Sequence, residues 1–239
     1  MWAVTTCKGR LDHLRQTAPR FAEQFERWCL VDYDCPDASG DWVEQHAFLG
    51  SVVERLGKPA KRFHKTRALN LGAARAAREG ARVLVFVDAD MLIEPGFARG
   101  IAERMRERHF LIAGLNGQHD RPGLTGLLAC NVEDFRRVGG FNEHFRDWGL
   151  EDIEMRLRLN LRGGCTFGRV PVELMATIPH SDARRTEHYP HQNKLRSNLA
   201  ACEQLRLELK SWGYDFDRLP PAACPLRYQS TPRQGYVLI

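Results

Sequence analysis

The chain of 239 residues is long enough for one large domain or two closely packed halves around a sizeable core. Its hydrophobic content of 43% and charged content of 27% are ordinary for a globular protein, and no segment approaches the roughly 18 apolar residues of a membrane span. The net charge of +5 suits an anionic ligand, but the lack of a dense basic run with interleaved aromatic residues argues against nucleic acid.

Strand-like and helix-like segments alternate along the first half of the chain. In chain order, the pattern predicts a strand at residues 3–7, a helix at 11–25 interrupted at Pro19, a strand at 28–33, turns at 34–41, a helix or a helix–strand mixture at 47–57, a helix at 66–80 that ends at Gly80, and a strand from residue 83. This alternation predicts an α/β fold with a mixed, mostly parallel sheet flanked by helices. In such sheets the ligand binds beyond the carboxyl ends of the strands.

Two aspartates follow directly on the apolar strand VLVFV, in the sequence Asp88-Ala89-Asp90. In extended backbone they point to the same side of the chain. Two unpaired carboxylates there would repel each other and would be costly to desolvate, and a divalent cation removes both costs. Carboxylate oxygens suit magnesium or manganese. The alternative is a simple turn in which one aspartate caps the next segment.

A second group of acids lies in VGGFNEHFRDWGLEDIEMRL, residues 138–157. Gly139-Gly140 predicts a turn, and apolar residues recurring every four positions from Ile153 predict a helix that begins near Glu151 and Asp152. Acids favour helix N-termini, which would account for one of the two carboxylates. A pair preceded by Trp148 and a glycine fits a purely capping role less well.

Residues 125–159 resemble the galactosyltransferase-type C-terminal segment of GT-A glycosyltransferases, through GGFNE and the following W-G-x-E-D element. The upstream half is similar to glycosyltransferase family 2, through TTCKGR, the DYDCPD turn, the helix start HKTRALNLG and the D-A-D sequence. The resemblance covers about residues 1–190 and implies a GT-A (Rossmann-like) domain, with a nucleotide-sugar half at 1–115 and an acceptor and metal half at 116–190. Residues 191–239 are then a C-terminal helix and an extended tail.

The resemblance implies an inverting, metal-dependent transfer of a sugar from a nucleotide-diphosphate sugar to an acceptor hydroxyl. Asp90 corresponds to the direct metal ligand, Asp88 to a ligand of the ribose or of metal-bound water, and His180 to a further metal ligand, with His188 and His191 as weaker candidates in the same stretch. The expected cation is Mn²⁺, with Mg²⁺ as the alternative, because an imidazole beside carboxylates favours manganese. His180 could instead be a plain surface-loop histidine.

The catalytic base implied by the resemblance is Asp152, the second acid of the pair. Glu151 is assigned to acceptor hydroxyl binding or to helix capping. Trp148 and Gly149 are the expected acceptor-binding residues, since an indole face suits the C–H side of a pyranose, although Trp148 could equally be a core residue.

The nucleotide is expected across the N-terminal half. The predicted donor-binding residues are Thr5, Thr6, Arg10, Asp32 or Asp34, Lys65, Arg67, Asp88 and Arg185, with Asn70 and Gly72 allowing close approach. Lys65 and Arg67 open a predicted helix, whose N-terminus favours anions. Arg184 and Arg185 form either a lid over the diphosphate or a solvated basic loop.

The donor is expected to be a UDP-sugar, and the acceptor to be a glycan, a lipid-linked sugar or a peptide side chain. An amphipathic helix at residues 194–212 could pack on the domain, on a second subunit of a homodimer, or peripherally on the inner face of a membrane. Seven scattered cysteines without a CxxC pair, and no signal-peptide pattern, lead us to expect a cytoplasmic protein with reduced thiols.

Two other functions are compatible with parts of this pattern. One is a catalytically silent sugar-nucleotide or glycan-binding module of the same fold. The other is a nucleotidyltransferase that makes the sugar nucleotide. The second fits poorly, because TTCKGR has one glycine where such enzymes carry a glycine-rich loop.

Overall fold

A computed structural model describes residues 1–56, 61–113, 124, 126–189, 207, 228–231 and 235–238. The strands are β1 (Trp2–Cys7), β2 (Arg27–Asp32), β3 (Ser51–Arg55), β4 (Val83–Phe86), β5 (Met91–Ile93), β6 (His109–Ala113), β7 (Leu128–Asn131), β8 (Thr166–Val170), β9 (Met175–Thr177), β10 (Tyr228–Thr231) and β11 (Gly235–Leu238). The α-helices are α1 (Leu11–Gln24), α2 (Ser39–His46), α3 (Lys65–Arg78), α4 (Phe97–Arg104), α5 (Val132–Arg137), α6 (Glu151–Leu157) and α7 (Asp182–Thr186). A π-helical turn (Arg158–Arg162) extends α6, and a 3-10 turn (Val172–Leu174) precedes β9.

The main sheet has seven strands in the order β3-β2-β1-β4-β7-β6-β8. All neighbouring pairs are parallel except those of β7, which runs antiparallel to β4 and β6. Val4 lies opposite both Cys29 and Phe86, so β1, β2 and β4 end at the same edge of the sheet. The predicted fold class, a mixed and mostly parallel sheet flanked by helices, is confirmed.

Apolar side chains on the two faces of the sheet form two core clusters. Val4 and Leu84 face α3, where they pack with Leu69. Ala3 faces the other way and belongs to the cluster of Leu14 and other residues of α1. Successive strand residues alternate between faces, so each buried strand contributes to both clusters and reads as a nearly continuous apolar run.

A small antiparallel ribbon outside the main sheet joins distant parts of the chain. β5 pairs with β9, with Met91 opposite Thr177. The ribbon continues past its last pair, because the Ile178 N–H donates to the Asp90 carbonyl at 2.8 Å. This pairing carries the segment after residue 177 to the turn that follows β4.

Three local predictions from the sequence are wrong. Pro19 does not interrupt α1, which runs from Leu11 to Gln24 and is held by its buried face. Residues 39–41, the end of the stretch expected to be turns, instead form the first turn of α2 (Ser39–His46). This first turn is capped by Asp32, whose carboxylate accepts a hydrogen bond from the Gly40 N–H at 3.1 Å. Residues 47–57 were expected to be a helix or a helix–strand mixture; their described part holds the strand β3 (Ser51–Arg55) and no helix.

The other predicted elements of the first half agree with the structure. β1, β2 and β4 lie within a residue or so of their predicted positions, and α3 ends just before Gly80, whose φ of +85° is left-handed. The predicted helix at 194–212 lies outside the described residues apart from Leu207. Within the described part of the tail, β10 and β11 pair antiparallel. None of the helices in the described ranges combines the length and the apolar character that a bilayer crossing requires.

Candidate active site

Asp88 and Asp90 lie in a tight turn and not in extended backbone. β4 ends at Phe86, and the Met91 N–H donates to the Asp88 carbonyl at 3.0 Å, which closes a four-residue turn. The prediction that an extended strand aims both carboxylates the same way is therefore wrong about the backbone. The turn nevertheless directs both side chains into the same cavity.

Asp90 and His180 form the closest pair of candidate metal ligands. His180 Nε2 lies 2.6 Å from Asp90 Oδ2, and His180 Nδ1 lies 3.2 Å from the Ser181 carbonyl. The two residues are ninety positions apart and meet because the β5–β9 ribbon places them side by side. The Arg10 guanidinium also approaches Asp90 Oδ2, at 3.7 Å.

This pair fits a divalent cation of the manganese or magnesium type. His180 Nε2 and Asp90 Oδ2 are in hydrogen-bond contact at 2.6 Å. Adjacent ligands of an octahedral ion with bonds of about 2.1 Å lie about 3 Å apart, so a small separation of the two atoms would let both bind one ion. A carboxylate oxygen and an imidazole nitrogen form a donor set that such an ion accepts. Within the described residues, no group of three or more His, Cys, Asp or Glu side chains is arranged to hold a metal.

Asp88 does not join that pair, because Lys65 holds it. Lys65 Nζ lies 2.8 Å from Asp88 Oδ1, and a Cβ atom placed on Gly126 would lie 1.9 Å from Asp88 Oδ2. The carboxylate is thus fixed between an ammonium group and the backbone of Gly126. The structure places Asp88 at the cavity wall with Lys65 as its partner, and its predicted contact with the ribose or the metal remains a prediction.

Lys65 also binds Glu151, so that one ammonium group bridges two carboxylates. Lys65 Nζ lies 3.1 Å from Glu151 Oε1. Burial lowers the pKa of Lys65, but Asp88 and Glu151 raise it, and the net pKa lies well above the ordinary value. Burial raises the pKa of Glu151, Lys65 opposes this rise and Asp152 adds to it, with a net increase. Glu151 Oε2 is buried without a hydrogen-bond partner among the described residues.

Asp152, the predicted base, lies beside this bridge at the start of α6. The helix begins at Glu151, as the sequence predicted, after Gly149 and Leu150 with left-handed φ values of 98° and 72°. Asp152 is half-buried, and its Oδ1 accepts a hydrogen bond from the Ile153 N–H at 2.8 Å. Asp152 is not among the described residues that line the cavity. The nearest lining residue along the chain is Trp148, in the loop before α6.

The cavity has a volume of about 460 Å³, within the usual range for small-molecule sites. Its lining consists of Thr6, Lys8, Arg10, Phe63, Lys65, Asp88, Ala89, Asp90, Trp148, Thr177, Ile178, Pro179, His180, Arg184, Arg185, His188 and Tyr189. The cavity lies beyond the carboxyl ends of β1 and β4, where ligands bind in open α/β sheets.

Basic side chains outnumber acidic ones around this cavity. The charged lining consists of two acids, Asp88 and Asp90, and five bases, Lys8, Arg10, Lys65, Arg184 and Arg185. Burial lowers the pKa of Arg10, although Asp90 raises it. The excess of positive charge favours an anionic ligand.

The segment of α7 contributes two of these bases. The Arg184 N–H donates to the Ser181 side chain at 3.2 Å, which caps the short helix. The Arg10 guanidinium donates to the Arg184 carbonyl at 3.1 Å, and the Arg184 side chain pairs with Asp12. The Arg185 guanidinium lies 5.0 Å from the centre of the Trp148 ring. These contacts hold the segment against the loop after β1 and against Trp148.

Several residues predicted to bind the nucleotide do not reach the cavity. Thr5 is buried in β1 on the face of α1, since it alternates with Thr6, which does line the cavity. Asp32 is a structural residue, because its carboxylate accepts from the Cys35 N–H at 2.8 Å and binds Arg55 at 3.0 Å. Arg67 is exposed on α3 and is not among the lining residues.

Other predicted residues have contacts that the sequence did not indicate. Asp34 is exposed and has a left-handed φ of 53°, and its carbonyl accepts a hydrogen bond from Lys8 at 2.6 Å. Asn70 donates to the Phe141 carbonyl at 2.9 Å, so it holds the turn before α6 rather than a ligand. Gly72 lets α3 approach the sheet, since a Cβ there would lie 2.5 Å from Val4 Cγ1.

Sequence reasoning missed Lys8, Tyr189 and Gly126. Lys8 follows β1 inside TTCKGR, and its place in that loop was the available signal. Tyr189 is buried beside Phe63, and nothing local marked it. His188, a weaker metal candidate, lines the cavity but packs on Gly9, where a Cβ would lie 2.0 Å from its Nε2. His191 lies outside the described residues.

Two family profiles match adjoining parts of the chain. The family described as glycosyl transferase family 2 matches residues 2–128, and the family described as the N-terminal domain of galactosyltransferase matches residues 108–191. The resemblance inferred from the sequence is thereby confirmed. The two matches overlap between β6 and β7 and together cover all of the cavity's lining.

One curated relative and two solved structures illustrate the similarity. Human β-1,4-galactosyltransferase 4 is 31% identical over 107 residues, which are 43% of this chain and 30% of that protein. The catalytic domain of Drosophila β1,4-galactosyltransferase 7 in complex with xylobiose has a TM-score of 0.53 at 16% identity, covering 100% of this chain and 91% of that one. GalNAc-T7 with UDP, GalNAc and Mn²⁺ has a TM-score of 0.51 at 15% identity, covering 71% of this chain and 43% of that one.

The solved structures share the fold, and the chain spans about a third of the length of the β-1,4-galactosyltransferase 4 relatives that it matches. The family profile is more extensive, since residues 2–128 are more than half of the 239 residues. This protein therefore belongs to glycosyl transferase family 2.

Proposed function

We propose that the protein is an inverting, metal-dependent glycosyltransferase that moves a sugar from a UDP-sugar to an acceptor hydroxyl. The observation that carries this proposal is the Asp90–His180 pair, set among basic side chains in a cavity at the carboxyl ends of β1 and β4. A sugar nucleotide is an anion that is commonly bound through a divalent cation. The cavity offers groups for both the cation and the remaining phosphate charge.

The residues that would hold the cation are Asp90 and His180. A divalent ion bound there would act as a Lewis acid on the departing diphosphate, a contribution of several kcal/mol to the transition state. Manganese and UDP are favoured because the structurally similar GalNAc-T7 was solved with both. The donor sugar is proposed to be a hexose, in keeping with the galactosyltransferases among the curated relatives.

Basic side chains would bind the rest of the diphosphate charge. Lys8 and Arg10 follow β1, and Arg184 and Arg185 face them from α7. Hydrogen bonds between charged groups and phosphate oxygens are roughly twice as strong as neutral ones. Because Arg10 already binds the Arg184 carbonyl, the two sides can hold a ligand together and limit its contact with water.

Asp152 is the proposed base, and it would accept the proton of the acceptor hydroxyl on the face opposite the leaving diphosphate. Trp148, at the cavity wall, offers a flat apolar surface on which an acceptor sugar could lie before α6. Glu151 is buried against Lys65, so its proposed role is to position the start of α6 rather than to bind the acceptor.

A thermal-shift screen of UDP, GDP and dTDP, each with Mn²⁺, Mg²⁺ or a chelator, tests the donor site. A ligand at a hundred times its Kd stabilises the native state by about 2.7 kcal/mol. For a chain of this size, that corresponds to a rise in Tm of about 5–10 °C. We expect such a rise with UDP and Mn²⁺, and its loss in Asp90→Asn and His180→Ala.

His144→Gln is the matched control, because His144 is an exposed histidine that does not line the cavity. It should keep the full response to UDP and Mn²⁺. An undiminished manganese-dependent shift in both the Asp90→Asn and His180→Ala variants would place the cation elsewhere and would contradict the proposal.

Product analysis tests the base. We expect Asp152→Asn to bind UDP and Mn²⁺ normally and to lose transfer to a panel of glycosides, and we expect the wild-type product to have the inverted anomeric configuration by NMR. Transfer at the wild-type rate by Asp152→Asn would remove Asp152 from the mechanism. Binding without turnover by the wild-type protein over the whole panel would support the silent binding module instead.

A further inference from the structure

Two cysteines and a serine form a compact group beside the candidate site, between the loops that follow β1 and β2. Ser39 Oγ lies 3.3 Å from Cys7 Sγ and 3.1 Å from Cys35 Sγ. Both thiols therefore contact the same serine hydroxyl, which places them next to each other. Neither cysteine has a role in the proposed transfer reaction.

The two thiols differ in their surroundings. Cys7 is the last residue of β1 and is buried, whereas Cys35 is half-buried in the loop after β2. The Gly9 N–H donates to Cys35 Sγ at 3.2 Å. Cys35 Sγ therefore accepts from a backbone amide and has a hydroxyl and a second thiol beside it, an arrangement that stabilises a thiolate.

The acidities of the two thiols agree with this geometry. The hydrogen bond with Cys7 lowers the pKa of Cys35, burial opposes it, and the hydrogen bonds from Ser39 and Gly9 help to bring it to about 5. The same hydrogen bond, together with burial, raises the pKa of Cys7. Cys35 is thus favoured as the thiolate nucleophile, and Cys7 stays protonated beside it.

We propose that Cys35 and Cys7 are a peroxide-reactive dithiol, in which Cys35 is the residue oxidised first and Cys7 is the residue that resolves it into a disulfide. The proposed co-reactant is a hydroperoxide. Cys29, Cys130 and Cys165 lack this arrangement, and burial is the main reason that their pKa values are raised.

The chemistry is a two-electron oxidation in two steps. The Cys35 thiolate attacks one peroxide oxygen, so that an S–O bond forms, the O–O bond breaks, and the leaving oxygen takes up a proton as water or an alcohol. Sulfur is oxidised by two electrons and the peroxide is reduced by two. Cys7 sulfur then attacks Cys35 sulfur, so that the S–S bond forms, the S–O bond breaks, and water leaves with the Cys7 proton.

The disulfide would join two loops that are already in contact. Lys8 Nζ donates to the Tyr33 carbonyl at 3.0 Å and to the Asp34 carbonyl at 2.6 Å. Cys7 lies between Thr6 and Lys8, which both line the cavity. The oxidised pair would therefore fix the loop after β1 at the edge of the cavity.

Peptide mapping of the wild-type chain tests the proposal. The reduced protein is treated with a stoichiometric amount of hydrogen peroxide, quenched with N-ethylmaleimide, and digested with trypsin and Asp-N under non-reducing conditions. Cleavage separates residues 1–8, which contain Cys7, from residues 34–36, which contain Cys35, and from residues 28–31, which contain Cys29. The cysteines of the other peptides serve as internal controls.

We expect the cross-linked peptide 1–8/34–36 to be the main oxidation product, to disappear on treatment with dithiothreitol, and to form while Cys29 and Cys130 remain alkylated by maleimide. In Cys7→Ser, dimedone should trap a sulfenic acid on Cys35. If peroxide oxidises the other cysteines to the same extent as Cys35, or if Cys35 reacts without forming the cross-link in the wild-type protein, the proposal is overturned.

Discussion

Replacement of Lys65 by methionine should destabilise the protein strongly, because the change removes the one ammonium group between two carboxylates. The side chains of Lys65 and Glu151 are 15% and 6% exposed, so the Lys65–Glu151 pair is buried, whereas Asp88 is 28% exposed and partly hydrated. Methionine keeps the length and apolar stem of the lysine. The expected loss therefore comes from the charge and not from a cavity.

The magnitude follows from the cost of leaving buried charges unpaired. Breaking a buried ion pair by removing one partner costs about 3–5 kcal/mol. The hydration of Asp88 and the protonation of Glu151 both reduce this cost, so we expect a loss near the lower limit, about 3 kcal/mol at neutral pH. For a chain of this size the corresponding decrease in Tm is about 6–12 °C.

The loss should depend on pH in a direction set by Glu151. Its folded pKa lies above the unfolded value, so the native state binds more protons than the unfolded state between the two. Stability is then highest below the unfolded pKa of about 4.3 and declines as pH rises through the folded pKa. Lys65 lowers the folded pKa of Glu151, so its removal should widen this pH range and increase the total loss of stability across it.

Urea unfolding between about pH 5 and 8 measures both effects. Lys65→Met should lose stability progressively with rising pH, and Lys65→Met/Glu151→Gln should show a flatter dependence and regain part of the loss. Arg67→Met is the matched control on the same helix, an exposed base expected to change stability by no more than about 0.5 kcal/mol. A loss of less than about 1 kcal/mol in Lys65→Met, typical of a surface ion pair, would refute this reasoning.

Three further changes have defined outcomes. Gly126→Ala would place a Cβ 1.9 Å from Asp88 Oδ2, so it should reduce the Tm response to UDP and Mn²⁺ while circular dichroism shows the fold retained. Arg158→Met should cost about 3–5 kcal/mol in urea unfolding, because it leaves Glu154 buried without the partner now 2.6 Å away, and Arg158→Met/Glu154→Leu should recover most of this loss. Burial lowers the pKa of His13, so its contribution to the free energy of unfolding is present above the unfolded pKa of about 6.5 and is lost as pH falls through the folded pKa. His13→Gln should therefore lose less stability than the wild type as pH falls, measured by urea unfolding; the same pH profile in both proteins would contradict this.

The sheet was predictable from the sequence because each buried strand is a short run of apolar residues that can be recognised without information from distant parts of the chain. The apolar run of β4 and the small-residue helix α3 need no distant information to be recognised, and their order along the chain indicates a parallel sheet. α2 was not predictable in the same way. Its cap comes from Asp32, seven residues before the helix begins, so the local sequence at residues 34–41 shows only turn-forming residues.

The candidate site shows the same division between local and distant signals. Asp90 and the start of α6 were recognisable because acids that follow a buried strand, or that open a helix, are informative where they stand. The side-chain partners were not. Lys65 was predicted to bind phosphate, but its position between Asp88 and Glu151 depends on how close the fold brings the start of α3 to the start of α6. The sequence also could not show which of Thr5 and Thr6 lines the cavity, because that depends on which face of the sheet each side chain points to.

The candidate site is built from both family-matched segments, so neither match alone contains all of its residues. Asp90 and Lys65 belong to the segment that matches family 2, and His180 and Glu151 belong to the segment that matches the galactosyltransferase domain. The β5–β9 ribbon joins Asp90 to His180, and the Lys65 ammonium joins the turn of Asp88 to the start of α6. The ribbon acts through backbone hydrogen bonds and the lysine through charge, so loss of the lysine should loosen α6 while the Asp90–His180 pair stays assembled. The proposed cation and base functions would therefore respond separately to substitution.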